Sequence, residues 1–201
     1  MIWMTNLKEK NSSKMLFFIG SSGSGKDTVM SGLADRLRQY NQVVIQPKRL
    51  ITRPKHSSEN FISVSSKEFQ NCEENDDFAI CWHIYNNSYG YLKKDIEPLL
   101  DGKYFILLNI SRAKAFDALE KYPGAKFILL EVKEDVAIER IKNRKRDSDD
   151  MLQERIDRMK QVIPIPEPLI TLYTEGKVEF NIDELIERLL PEEIITAKYK
   201  R

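Results

Sequence analysis

The feature that most constrains the fold of this chain is a glycine-rich loop, residues 20–26, with the sequence Gly-Ser-Ser-Gly-Ser-Gly-Lys. It matches the pattern G-x-x-x-x-G-K, in which backbone N–H groups and a helix N-terminus hold phosphate oxygens. An apolar run over residues 15–19 precedes the loop, and Met30, Leu33 and Leu37 follow it at helical spacing. A turn that merely caps a helix is the alternative, but the strand, the lysine and the helix together favour a phosphate-binding loop.

The predicted nucleotide site comprises nine consecutive residues: Gly20, Ser21, Ser22, Gly23, Ser24, Gly25, Lys26, Asp27 and Thr28. We expect Lys26 to contact the β- and γ-phosphates of ATP and to act as a catalytic residue during transfer. Ser or Thr usually follows this lysine and binds Mg²⁺ through its hydroxyl, but here Asp27 follows it and Thr28 comes next. Two assignments of the metal ligand remain open. Either Asp27 holds Mg²⁺, directly or through water, or Asp27 caps the helix and Thr28 supplies the hydroxyl.

The rest of the chain alternates short apolar runs with amphipathic segments, which predicts an α/β fold around a parallel sheet. Further strands are predicted over residues 43–45, 104–110, 127–132 and 169–173, and a closing helix over residues 182–190. Residues 49–97 interrupt this pattern. They are polar and carry several aromatic side chains, as expected of an inserted substrate-binding region.

A second interruption, residues 140–160, is rich in arginine and lysine. It predicts a lid that closes over phosphates, because planar guanidinium groups suit phosphate oxygens. A solvated helix face is the alternative. The expected organisation is one domain over residues 1–201, with a core formed by residues 14–48, 98–139 and 161–190, the insertion at 49–97 and the lid at 140–160.

Composition argues against several other classes of protein. The net charge is +1, so no global field draws the chain to nucleic acid or to an anionic membrane, and nothing in it specifies an oligomeric state. No apolar run approaches the ~20 residues of a membrane span, and residues 1–13 lack the apolar core of a secretory signal. The spacing of Cys72 and Cys81 fits neither a CxxC redox pair nor a zinc site. We therefore expect structural thiols in a reducing cytoplasm.

Several segments together carry a family resemblance. Residues 20–28, 51–53, 78–90 and 140–155 occur in the order and spacing of guanylate kinase-like proteins, and the resemblance spans residues 14–190. Within that group the chain looks most like the ribose 1,5-bisphosphate phosphokinases, on Gly25-Lys26-Asp27, Ile51-Thr52-Arg53, Ser58-Glu59-Asn60, Trp82-His83, Tyr89-Gly90, Asn109-x-Ser111-Arg112 and Asn143-Arg144-x-Arg146. The resemblance implies a guanylate kinase-like P-loop fold, the cofactors ATP and Mg²⁺, and a small phosphorylated metabolite as acceptor. The implied reaction converts ribose 1,5-bisphosphate to phosphoribosyl pyrophosphate, in phosphonate metabolism.

Residue by residue, the resemblance also implies an acceptor site. Arg53 matches the first of two arginines with which guanylate kinases hold the acceptor phosphate, and Glu59 matches the acid that follows it. Tyr89 matches a phosphate-binding tyrosine, although a large aromatic could equally be part of the core. Asn109 and Arg112 complete the implied set of substrate-binding residues.

His83 is the residue on which the expected acceptor depends. Guanylate kinases read guanine with a carboxylate, which accepts from two adjacent N–H groups, and His83 stands at the position taken to match it. A neutral histidine offers a single acceptor, and His56 replaces the second phosphate-binding arginine. The site is thus expected to take ribose 1,5-bisphosphate and to use GMP poorly.

The implied catalytic residues are the loop lysine and three arginines of the lid: Lys26, Arg144, Arg146 and Arg155. A guanylate kinase or another nucleoside monophosphate kinase is the alternative enzyme. An inactive guanylate kinase-like protein-binding domain is the alternative from another class. Such inactive domains typically lose the loop lysine and the lid arginines, which this chain retains.

Overall fold

The computed structural model describes residues 11–55, 60–84, 86–143 and 149–197. In chain order its strands are β1 (Met15–Gly20), β2 (Val44–Ile45), β3 (Arg49–Ile51), β4 (Phe61–Ser63), β5 (Phe78–Ile84), β6 (Asn87–Leu92), β7 (Phe105–Asn109), β8 (Lys126–Glu131) and β9 (Ile170–Tyr173). Its helices are α1 (Lys26–Gln39), α2 (Ser66–Glu74), α3 (Lys93–Ile96), α4 (Ala115–Lys121), α5 (Glu134–Asn143), α6 (Asp149–Met159), α7 (Val178–Leu189) and α8 (Glu192–Ala197).

Five of the strands form an all-parallel sheet in the spatial order β2-β7-β1-β8-β9. The predicted α/β fold with a parallel sheet is confirmed, and each strand predicted for this sheet is present within one residue of its expected bounds. The carboxyl ends of β1, β7 and β8 meet at one edge. In an open α/β sheet, ligands bind at this edge.

The central strand β1 is buried on both faces, which is why its sequence is continuously apolar. Leu16 and Phe18 belong to a hydrophobic cluster that α1 and α7 share, whereas Phe17 and Ile19 belong to a second cluster that includes residues of α4. The helices α1 and α7 approach closely at Gly32, where a Cβ atom would lie 2.3 Å from Ile182 Cδ1. This helix, α7, is the closing helix predicted from the sequence, but it begins at Val178 rather than at residue 182.

A second, four-stranded sheet has the order β4-β3-β6-β5. Its strands are antiparallel except for β3 and β4, which run parallel. One face packs on α2 through a small cluster formed by Leu50, Phe69, Phe78 and Leu92. Helix α2 begins with a capping box, in which the Ser65 hydroxyl accepts from the Glu68 N–H and the Glu68 carboxylate accepts from the Ser65 N–H. The opposite face packs partly on the cluster that contains Phe17 and Ile19, and the rest of it lines a cleft.

The basic segment over residues 140–160 contains the end of α5 and all of α6. Residues 144–148, which join the two helices, lie outside the described residues, and so do residues 56–59. Within the part of the chain that the structure describes, no helix is both long and apolar enough to cross a bilayer.

Candidate active site

A cleft of about 670 Å³ opens at the carboxyl edge of the parallel sheet. Its floor is the glycine loop between β1 and α1. One wall is the face of the four-stranded sheet that points away from α2, and the other is formed by the residues that follow β7 together with α6. A ligand in this cleft would therefore touch all three parts of the fold.

The glycine loop has the backbone geometry of a phosphate cradle. Gly23 has φ +81°, and a Cβ atom at this position would lie 2.7 Å from the Ala137 carbonyl oxygen. At Gly20, which has φ +151°, a Cβ atom would lie 2.4 Å from the carbonyl oxygen of Leu130. Side chains are excluded at both positions by neighbouring backbone, so the loop can turn its N–H groups inward.

Lys26 lies at the base of this cradle, where α1 begins. Its ammonium donates to the carbonyl oxygens of Gly20 and Ser21 at 2.9 and 2.7 Å. The side chain is thus folded over the loop that would hold the phosphates of ATP. The cradle, the cationic Lys26 and the N-terminus of α1 together fit a nucleotide triphosphate.

Asp27 and Thr28 are both exposed, but of the two only Asp27 is among the described residues that line the cleft. The Asp27 carboxylate accepts a hydrogen bond of 2.7 Å from the Asn109 side-chain amide, and the Arg49 guanidinium lies 3.9 Å away. The residue that caps α1 is Gly25, so Asp27 does not fill that role. Of the two sequence-based assignments, this geometry favours Asp27 as the ligand of Mg²⁺, which prefers carboxylate oxygens.

Asn109, predicted from the sequence to bind the acceptor, donates its side-chain amide to Asp27 in this structure. The backbone of Asn109 is also hydrogen-bonded. Its N–H donates to the Tyr91 hydroxyl at 3.1 Å, and that hydroxyl donates to the Asn109 carbonyl at 3.3 Å. Burial raises the pKa of Tyr91, so its hydroxyl stays protonated at neutral pH. Asn109 is therefore positioned to orient Asp27, although it also borders the cleft.

The acceptor wall is aromatic and basic. The guanidinium of Arg53 lies 4.6 Å from the centre of the Phe61 ring, and Arg53 borders the cleft as its sequence assignment requires. Tyr89 also borders the cleft and stacks on Trp82, with ring centres 5.5 Å apart and planes within 5° of parallel. Such stacking fixes the orientation of both rings. Arg53 and Tyr89 are thus brought to one wall, while Glu59 lies outside the described residues.

His83, predicted from the sequence to contact the acceptor, is not among the described residues that line the cleft. In β5 the alternate residues Trp82 and Ile84 line the cleft, and His83 points to the opposite side with 59% of its side chain exposed. Its Nδ1 lies 2.8 Å from the Ser88 hydroxyl and its Nε2 lies 2.9 Å from a Glu73 carboxylate oxygen. The physical reason is the two-residue period of a strand, which sends neighbouring side chains to opposite faces.

Helix α6 closes the cleft from the other side. Arg155 is buried and donates to the Ser22 hydroxyl of the glycine loop at 3.2 Å. Arg112, which follows β7, also lines the cleft and donates to the Arg158 carbonyl oxygen at 3.2 Å. The other two predicted lid residues, Arg144 and Arg146, lie outside the described residues.

Three further arginines of the site were given no individual role from the sequence, although Arg140 and Arg158 lie within the predicted lid. Arg158 and Arg49 line the cleft, and Arg140 donates to the carbonyl oxygens of Gly23 and Thr174 at 3.3 and 2.6 Å, which ties the glycine loop to the end of β9. Helical spacing could have identified Arg158, since it lies one turn from Arg155 on the same face. No comparable pattern in the sequence marks Arg49.

The charges of the cleft are strongly one-sided. Among the described residues that line it, a single carboxylate, that of Asp27, faces six cationic side chains: Lys26, Arg49, Arg53, Arg112, Arg155 and Arg158. Concave walls of low dielectric concentrate such a field. The arrangement is suited to two polyanionic ligands held side by side.

Comparison with known proteins gives consistent results. The guanylate kinase family model matches residues 12–190. A ribose 1,5-bisphosphate phosphokinase PhnN of Klebsiella pneumoniae is 33% identical over 178 residues, which cover 88% of this chain and 92% of that protein. A protein of the same name from Ruegeria sp. is 35% identical over 73% of this chain and 75% of its own length. Among solved structures, a guanylate kinase from Anaplasma phagocytophilum superposes with a TM-score of 0.63 at 19% identity, covering 87% of this chain and 83% of that one.

Proposed function

The chain belongs to the guanylate kinase family, and we propose that it transfers the γ-phosphoryl group of ATP to ribose 1,5-bisphosphate. The products are phosphoribosyl pyrophosphate and ADP. The cytoplasm is the proposed location, which the free thiols of Cys72 and Cys81 support. The two curated relatives described above carry the name of this activity.

The observation that carries the proposal is the charge of the cleft. Six cationic side chains and one carboxylate line it among the described residues. A neutral sugar as acceptor would leave most of these cations in a partly desolvated site without a counter-charge, which is costly. ATP together with a bisphosphorylated sugar supplies anionic groups along the whole cleft.

The acceptor wall supports a sugar phosphate over GMP. Guanine offers two adjacent N–H donors, which a carboxylate satisfies best. Among the described residues of this wall the polar groups are those of Arg49, Arg53, Asn60, Trp82 and the two tyrosines, without a carboxylate. This observation replaces the argument from His83, which lies on the other face of the sheet. A guanylate kinase remains the alternative that the experiment below tests.

We assign the parts of the chain to the reaction as follows. The glycine loop holds the phosphates of ATP. The Lys26 ammonium contacts the γ-phosphoryl group and stabilises its negative charge during transfer. Asp27, oriented by Asn109, would hold Mg²⁺, which supplies neutralisation of charge on the phosphates. Residues 49–97 hold the acceptor through Arg53 and Tyr89. Residues 140–160 form the lid, in which Arg144, Arg146 and Arg155 stabilise the transferring group and exclude water.

The chemical step requires little more than alignment. An oxygen of the acceptor's 1-phosphate forms the new bond to the γ-phosphorus, and the bond from that phosphorus to the bridging oxygen of ADP breaks. The attacking oxygen is already ionised at neutral pH, so the step needs no general base. This agrees with a cleft in which, among the described residues that line it, Asp27 is the only carboxylate and no histidine is present.

A coupled ADP-release assay tests the proposal directly. We expect kcat/KM for ribose 1,5-bisphosphate to exceed that for GMP by about 10⁴-fold, because a site without partners for the guanine N–H groups discriminates this strongly. The product should be identified as phosphoribosyl pyrophosphate, and a Lys26→Ala variant measures the background hydrolysis of ATP. Efficient phosphorylation of GMP by the unmodified protein would refute the acceptor assignment.

A further inference from the structure

Arg49 belongs to the four-stranded sheet, but its side chain reaches the nucleotide end of the cleft. It is the first residue of β3 and lines the cleft as Ile51 does, whereas Leu50, between the two, packs in the cluster beside α2. The Arg49 guanidinium lies 3.9 Å from the Asp27 carboxylate, in the first turn of α1. A positive charge of the acceptor-binding sheet is therefore placed beside the glycine loop.

Asp27 is a negative charge at a position where phosphate-binding loops usually have none. The residue after the loop lysine is usually Ser or Thr, whose hydroxyl is neutral. The carboxylate of Asp27 lies next to the site of a triphosphate and repels it. Asn109 donates to this carboxylate, but its amide carries no charge that could offset the repulsion. The side chain of Asp27 is 69% exposed, so solvent screens part of the effect.

The position of Arg49 suits it to offset this charge. Only 19% of its side chain is exposed, so its own charge is screened less than that of Asp27. Their separation of 3.9 Å exceeds the length of a charge-assisted hydrogen bond, about 2.7–2.9 Å. The contact thus acts mainly through charge, and the pair together has the net charge of a Ser or Thr hydroxyl, which is zero.

We infer that Arg49 offsets the negative charge of Asp27, so that a glycine loop with an aspartate after its lysine binds ATP without a penalty. This inference rests on the proposed function only in taking ATP as the phosphate donor. Arg49 is then a positioning residue, because it acts through Asp27 and not through contact with ATP. A cation held by Asp27 would also offset the carboxylate, so the contribution of Arg49 is expected to be largest without Mg²⁺.

A competing explanation is that Arg49 binds a phosphate group directly. The two explanations differ in their dependence on Asp27. An offset of charge is needed only while the carboxylate is present, whereas a direct contact with phosphate is lost in any variant that lacks the guanidinium. Asp27→Ser removes the carboxylate and introduces the hydroxyl that is usual at this position.

Titration calorimetry with ATP in the presence of EDTA separates the two explanations. We expect Arg49→Met to weaken the binding of ATP by about 10-fold, a coupling typical of charged groups in contact. In the Asp27→Ser background the same substitution should change this affinity by less than about 2-fold, since the coupling is then absent. Excess Mg²⁺ should reduce the loss that Arg49→Met causes in the Asp27 background.

Lys48→Met is the matched control. It removes one positive charge at the preceding residue, which is exposed and is not among the described residues that line the cleft. We expect this variant to bind ATP as the wild type does. Thermal unfolding verifies that every variant is folded.

Three results would overturn the inference: no loss of ATP affinity in Arg49→Met, an equal loss in the Asp27 and Asp27→Ser backgrounds, or a loss of the same size with and without Mg²⁺. Wild-type protein that binds ATP only with Mg²⁺ would also contradict it, because Arg49 would then fail to offset the carboxylate. No acceptor is present in these titrations. The acceptor assay with ribose 1,5-bisphosphate and GMP can therefore fail while the assignment of Arg49 stands.

Discussion

The two sheets of this protein are built on different principles. In the parallel sheet, β1 and β7 are buried on both faces, and the ligand is met by the loops at their carboxyl ends. In the four-stranded sheet, one face of β5 and β6 packs on α2, and side chains of the other face, such as Trp82 and Tyr89, line the cleft themselves. The nucleotide end of the cleft therefore depends mainly on backbone geometry, and the acceptor end on side-chain identity. A change of substrate can then arise at the acceptor end without disturbing the core.

The largest loss of activity is expected from a substitution at the nucleotide end of the cleft. Lys26→Met should lower kcat by about 10³-fold, in the range observed when a single electrostatic contact to a transition state is removed. Its ammonium donates to the carbonyl oxygens of Gly20 and Ser21 in the partly exposed loop, so the melting temperature should change little. Turnover and thermal unfolding measure the two quantities, with Lys133→Met at the same edge as a control. Near-normal turnover would remove Lys26 from the chemistry.

At the acceptor end, Arg53→Met should act on one substrate alone. We expect KM for the acceptor to rise by about 10- to 100-fold, the loss of a charge-assisted hydrogen bond, and KM for ATP to remain unchanged. Steady-state kinetics with each substrate varied in turn provides the measurement. A rise in KM for ATP would show that the two ends of the cleft are not separable in this way.

Asn109 lies between the nucleotide end and the acceptor end of the cleft. A variant tests whether it supports the metal site or binds the acceptor. Asn109→Leu removes the amide that orients Asp27, so the Mg²⁺ concentration for half-maximal rate should rise about 10-fold, as for other partners of metal ligands. KM for the acceptor should change much less. The opposite pattern would restore Asn109 to the acceptor site.

The smallest effect is expected at His83, on the face of β5 that points away from the cleft. His83→Asn should change KM for the acceptor by less than about 2-fold, as for an exposed position without a buried contact. Trp82→Leu, one residue earlier and on the cleft face, is the matched comparison and should raise that KM clearly. A larger effect at His83 than at Trp82 would reverse the assignment of the two faces.

The parallel sheet was predictable because its signals are long and redundant. The run Met15 to Ile19 is apolar throughout, and the loop that follows allows few alternatives to a strand, a turn and a helix. The short strands β3 and β4 have three residues each, interspersed with polar ones, and such segments carry little periodicity. The positions of β3 and β4 are determined by pairing with each other and with β6, which the local sequence does not show.

Residues of the candidate site were likewise predictable where a local motif marks them and unpredictable where a contact between distant elements places them. Lys26 and Asp27 follow from a local motif whose geometry is contained within the loop. The alternation within β5 was readable in principle, since Trp82 and His83 are adjacent and must face opposite sides. Arg49 could not be predicted, because its proximity to Asp27 is a contact between β3 and α1 that no local pattern in the sequence marks.

The parallel register of β1 has a consequence for how the chain is assembled. This central strand is synthesised before the other strands of its sheet, and both of its neighbours, which begin at Phe105 and Lys126, lie far along the chain. The four-stranded sheet pairs only residues between Arg49 and Leu92, so its contacts close much shorter loops. On a ribosome the acceptor-binding sheet would therefore be able to form before the hydrophobic strand at the centre of the protein has any partner, which leaves that strand available to chaperones in the interval.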